Sequence, residues 1–76
     1  MPTRTPEDTQ ALLAFGQHVT RLRKEADISQ EELSARCDLD RTYISGIERG
    51  KRNLSLTNIL KIAKALNLSP KSLLDY

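Results

Sequence analysis

The sequence has little of what most enclosed sites and disulfide scaffolds are built from. It contains no tryptophan, one phenylalanine and two tyrosines, so aromatics make up 4% of the chain. A single cysteine, Cys37, excludes an intrachain disulfide, and with His18 as the only histidine no ligand set spaced for zinc can be assembled. Glycine and proline number three each. That profile suits an all-α domain better than a sandwich or barrel, whose strands favour aromatic and β-branched residues. No apolar run approaches a membrane span, and the first residues lack the apolar core of a signal peptide, so a cytoplasmic protein with no membrane partner is expected. No carboxylate pair, no nucleophile with a base and no metal set stands out, so neither an enzyme nor a cofactor or small-molecule ligand is expected.

What is present is enough for one modest core. The chain has 76 residues, 38% of them hydrophobic. A domain of this size buries only about 60% of the surface its unfolded chain exposes. Lysine and arginine number 12 against 10 aspartates and glutamates, a net charge of +2 that announces no partner by itself. Its distribution says more. Between Arg41 and Asn53 the basic residues Arg41, Arg49, Lys51 and Arg52 face one acid, Glu48, a local +3, while the other acids lie elsewhere. Locally concentrated positive charge is the footprint of a nucleic-acid binder.

Periodicity and capping signals predict five helices and no strand. Residues 1–6, with two prolines and no apolar period, read as a disordered leader, and 7–76 as one domain. The first helix is expected from Glu7 to Glu25, its acids Glu7 and Asp8 favoured by the helix dipole. Leu12, Phe15, Val19, Leu22 and Ala26 form its buried stripe, with His18 at the boundary. Ser29 and Glu32 form the pattern of a capping box for a second helix ending near Arg36. Cys37-Asp38-Leu39 makes the turn, with Cys37 as core filler and Asp38 in the left-handed position. Asp40 caps the third helix, from Arg41 to about Arg49, and Gly50 stops it. Ser55 caps the fourth, whose apolar face is Leu56, Ile59, Ala63 and Leu66 with Leu60 and Ile62 beside them, and Asn67 ends it. Ser69-Pro70 opens a fifth helix reaching Tyr76.

Two short helices joined by a three-residue turn, the second rich in polar side chains, form the helix-turn-helix pattern. Leu33 and Cys37 of the first must meet Ile44 and Ile47 of the second. That packing leaves Arg41, Thr42 and Ser45 projecting from the outer face of the third helix. A helix fits the major groove, and arginine can donate two hydrogen bonds to guanine O6 and N7. Tyr43 and Arg49, on the flanks, suit phosphates, and Arg49, Lys51 and Arg52 would neutralise phosphate charge.

Residues 29–53, SQEELSARCDLDRTYISGIERGKRN, resemble the Xre, or Cro/repressor, type of helix-turn-helix domain. Within that family, LDRTYISGIER closely resembles the recognition segment of restriction–modification controller proteins. The resemblance implies a compact five-helix, lambda repressor-like domain that binds double-stranded DNA and regulates transcription. It implies base reading led by Arg41 and Thr42, with Ser45 and Tyr43 as secondary contacts, and a phosphate contact from Gln30; phosphate contacts are expected as well from Tyr43, Arg49, Lys51, Arg52 and Asn53. It also implies a structural salt bridge between Arg23 and Glu48. Two departures stand out: Asp38 replaces the usual turn glycine, and Gly46 leaves a blank where some phage repressors carry a base-reading side chain. One recognition helix reads few bases, so a homodimer through the fourth and fifth helices is expected on a near-palindromic operator. Two-fold symmetry would set the recognition helices about 34 Å apart. An antitoxin-like autorepressor and a helical protein-interaction module remain as alternatives.

Overall fold

The computed structural model describes residues 4–76, and among them it contains five helices and no strand. Helix α1 spans Pro6–Glu25, α2 Gln30–Cys37, α3 Arg41–Glu48, α4 Leu56–Ala65 and α5 Pro70–Leu73. The part of the expected leader at Met1–Thr3 lies outside the described residues. Thr5 and Pro6, assigned to that leader, instead start α1. Thr5 Oγ1 accepts from the Asp8 N–H at 3.1 Å, the Asp8 carboxylate accepts from the Thr5 N–H at 3.3 Å, and Pro6 occupies the first turn, where its missing N–H costs nothing.

The capping box expected at α2 is only half made. Ser29 Oγ accepts from the Glu32 N–H at 3.0 Å, but the Glu32 carboxylate turns along the helix to Arg36, 3.1 Å away. Cys37 is the last helical residue rather than part of the turn, because its side chain is buried in the core. Asp38 adopts φ 56° and ψ 41°, the left-handed position expected of it. Gly50 at φ 72° and Asn67 at φ 58° end α3 and α4 in the same way, and Asp27 at φ 59° does so after α1.

Val19, Leu33, Ile44, Ile47, Ile62 and Leu73 are fully enclosed, so every helix sends at least one side chain into one core. Phe15, Cys37, Ala63, Ala65 and Leu66 complete it. Four expectations about this packing change. Ala26 is exposed, being the C-cap of α1. Leu56 is 70% exposed and Leu60 42%, because α4 turns Ile62, Ala63, Ala65 and Leu66 inward and leaves its Leu56–Leu60 ridge outside. Helix α5 stops at Leu73, which is buried, while Leu74 and Tyr76 stay exposed. His18 is buried rather than at a boundary: its Nδ1 accepts from Arg21 at 2.8 Å and its ring stacks on Tyr76 with centroids 4.8 Å apart.

Gly16 was not singled out by any sequence pattern, yet it decides where α3 sits. A Cβ at this position would lie 2.7 Å from the Glu48 carbonyl oxygen and would also collide with the Ile47 carbonyl. The missing side chain lets α1 touch the backbone at the C-terminal end of α3. This contact sets the platform from which α3 projects.

Candidate nucleic-acid interface

Helix α3 has two unlike faces. Ile44, Ile47 and Glu48 are buried, whereas Arg41, Thr42 and Arg49 are exposed and Ser45 is half-buried. Asp40 Oδ1 accepts from the Thr42 N–H at 2.7 Å, fixing the first turn. That hydrogen bond is the main reason the Asp40 carboxyl is held below its usual range. Of the expected base-reading set, Arg41 and Thr42 are exposed at a capped helix start, and Ser45 lies one turn along from Thr42.

The inner face is held by an ionic anchor. Arg23 donates from Nε to Glu48 Oε2 at 2.7 Å and from Nη2 to Oε1 at 3.0 Å, a two-pronged pair between α1 and α3. Arg23 Nη1 also donates to the Ile28 carbonyl at 2.9 Å, and Gln30 Nε2 donates to Glu48 Oε1 at 3.0 Å. The anchor thus ties α3 to α1, to the α1–α2 connection and to the start of α2. Burial alone would raise the Glu48 pKa, but the hydrogen bonds from Arg23 and Gln30 outweigh it and hold the carboxyl below its ordinary value. The hydrogen bond to Glu48 raises Arg23 in turn. Gln30 makes a contact that the sequence did not suggest: one N–H of its amide steadies Glu48, which leaves the second N–H uncommitted.

The flank beyond α3 is also braced from inside. Tyr43 donates its hydroxyl proton to the Asn53 carbonyl at 2.9 Å, and its oxygen accepts from Asn58 Nδ2 at 3.1 Å. A tyrosine has one proton to donate, so Tyr43 as folded has none left for a phosphate. Asn58, on α4, was missed by sequence reasoning because its partner lies on another helix. Lys51, Arg52 and Asn53 are exposed on this flank. Asn53 Oδ1 accepts from the Leu54 N–H at 3.2 Å. Arg49 folds back toward the Ser45 carbonyl at 3.4 Å.

Gly46 is not an open gap on the reading face. It is buried, and the side chain of Arg52 lies across it.

This arrangement of two short crossed helices, a left-handed turn at Asp38 and an anchored outer helix agrees with a helix-turn-helix family profile over residues 19–73. The chain belongs to the helix-turn-helix family. The match bears out the Xre-type resemblance and extends beyond the two-helix motif to the end of α5. Control protein C.BamHI of Bacillus amyloliquefaciens is 58% identical over 65 residues, which cover 84% of this chain and 80% of that protein. The fold superposes on the restriction–modification controller protein C.AhdI of Aeromonas hydrophila with a TM-score of 0.83 at 48% identity, covering 84% of this chain and 97% of that one. C.Esp1396I bound to a 19 base pair DNA duplex matches with a TM-score of 0.76 at 39% identity, covering 82% of this chain and 83% of that one. No helix among the described residues is long and apolar enough to cross a membrane.

Proposed function

We propose that this protein is a sequence-specific DNA-binding transcription regulator, a restriction–modification controller that acts in the cytoplasm as a homodimer on a near-palindromic operator. The observation that carries the reading is the two-faced α3. Its inner side is fixed by Ile44, Ile47 and Glu48, so Arg41, Thr42 and Ser45 are presented on a rigid support. The similarity to controller proteins, one of them solved on a DNA duplex, favours DNA over a protein as the partner of that face.

In this reading Arg41 and Thr42 enter the major groove, and Ser45 contacts the groove deeper along α3. Gln30 grips the phosphate at the start of α2, Arg49, Lys51 and Asn53 grip those beyond α3, and Arg52, whose side chain runs back across Gly46 to the Tyr43 ring, grips one nearer the start of α3. Tyr43 contributes to the phosphate grip chiefly by holding the Asn53 backbone. Leu56, Leu60, Leu74 and Tyr76, exposed on α4 and after α5, supply the apolar surface for the second copy. Bound dimers then act by occluding or recruiting polymerase, according to where the operator lies. Selection of duplexes from a random pool, followed by binding at moderate salt with nonspecific competitor, tests the proposal. A two-fold symmetric consensus is the expected result. Equal retention of all duplexes would refute sequence-specific regulation, and no retention at all would favour a protein-interaction module.

A further inference from the structure

Gly46 sits inside an eight-residue helix, where glycine is a poor choice for helix formation. Its φ is not in the left-handed region, so backbone conformation does not require it. What requires it is Arg52. A Cβ on residue 46 would lie 2.5 Å from Arg52 Cγ and 3.5 Å from both Cδ and Nε. The arginine stem therefore runs flat along α3, back toward the helix start. Its guanidinium carbon ends 5.7 Å from the centre of the Tyr43 ring, one helical turn before Gly46. Asp40, at the N-cap, feels the same charge: beyond the leading Thr42 hydrogen bond, Arg52 helps to hold its carboxyl low. The Lys51 N–H donates to the Gly46 carbonyl at 2.8 Å, so the backbone leading into Arg52 is pinned to the same residue.

We infer that Gly46 is a positioning residue for DNA binding: its bare backbone is the slot that seats Arg52 and carries that guanidinium to the reading end of α3. The inference rests on Arg52 being a DNA contact. A planar guanidinium over an aromatic face keeps its charge while losing rotamer freedom before DNA arrives. Any side chain at residue 46 would lift the stem and let the charge swing away from the helix start.

The test is a salt titration of operator binding for four proteins: wild type, Gly46→Ala, Arg52→Ala and the double variant. Each phosphate contact contributes about 0.9 to the slope of log affinity against log salt. Arg52→Ala should lower the slope by about that amount per protomer; no change would refute the Arg52 contact itself and the inference with it. Gly46→Ala should reproduce at least half of that decrease while melting no lower than wild type, and should add nothing in the Arg52→Ala background. A smaller decrease, or an equal loss in both backgrounds, overturns the seating role while leaving the Arg52 contact intact. A second measurement needs no variant. In the free wild-type protein, NMR should show a strong cross-relaxation peak between the Gly46 α-protons and the Arg52 γ-protons. Its absence would also overturn the inference.

Discussion

Removing the Glu48 carboxylate should be the most damaging single change in the protein that leaves the apolar core intact. Glu48→Ala strands three donors at once: Arg23 Nε, Arg23 Nη2 and Gln30 Nε2. The Arg23 side chain is only 11% exposed, so its charge cannot recover full hydration by moving aside. Breaking a buried ion pair from one side costs about 3–5 kcal/mol. Domains of this size hold a total of about 4–11 kcal/mol, so the loss is comparable to the whole stability. Because residual exposure lets some water reach Arg23, about 3 kcal/mol is the better figure, a drop of roughly 12–24 °C in melting temperature. Urea unfolding followed by circular dichroism at 222 nm, at one fixed protein concentration, measures it. Replacing both partners, Arg23→Met with Glu48→Leu, removes the buried charge as well as its counter-charge and should recover most of the loss. A loss below about 1 kcal/mol, or a double variant as unstable as Glu48→Ala, would refute the view that an unpaired buried charge sets the cost.

Three other perturbations test separate parts of the structure. Folding lowers the Glu48 pKa, so the anchor contributes fully above the unfolded-state value of about 4.3 and fades as pH falls through the lower folded value. Urea midpoints should hold from pH 7 to 5 and fall below that, and less steeply in the Arg23→Met/Glu48→Leu variant; identical acid profiles would rule out the anchor as the source. Gly16→Ala gains helix propensity but drives a methyl into the Ile47 and Glu48 carbonyls, for a net loss of about 1–2 kcal/mol by urea titration; a stabilised variant would contradict the close crossing. Leu60→Glu places a charge on the exposed ridge of α4 and should shift sedimentation equilibrium toward monomer without lowering helix content. An unchanged association constant would move the dimer seam elsewhere.

Local chemistry was legible in the sequence where one short stretch decides the outcome. Asp38, Gly50 and Asn67 end helices as read, and Ser29, Asp40, Ser55 and Ser69 cap them, because each needs only its near neighbours. The same reading failed where two stretches compete or meet. Glu32 had a choice between closing a box and pairing with Arg36, and only the folded helix shows which it takes. The apolar pattern of α4 has more leucine and isoleucine than one core face can hold, so periodicity could not tell Leu66 from Leu56. Gly16 and Gly46 are both explained by atoms distant in sequence or on the following loop, which no pattern of residue types announces. On the outer face of α3, the exposure of Arg41 and Thr42 followed from helical geometry, with Ser45 half-buried beside them. The internal commitments of Tyr43, Asn58 and Gln30 did not, since hydrogen bonds between elements leave no trace in spacing.

In the proposed function, Arg41 reads a base edge from a helix whose inner face is anchored by Glu48. The most direct measurement pairs Arg41→Ala with an operator in which one guanine of each half-site is replaced by 7-deazaguanine, which lacks only the N7 acceptor. Across the guanines of the half-site, one position should cost the wild-type protein about 1–3 kcal/mol in binding and cost the Arg41→Ala variant nothing further. If no guanine shows that coupling, or if Arg41→Ala weakens specific and nonspecific binding equally, Arg41 holds phosphate and the reading face has been placed on the wrong residues.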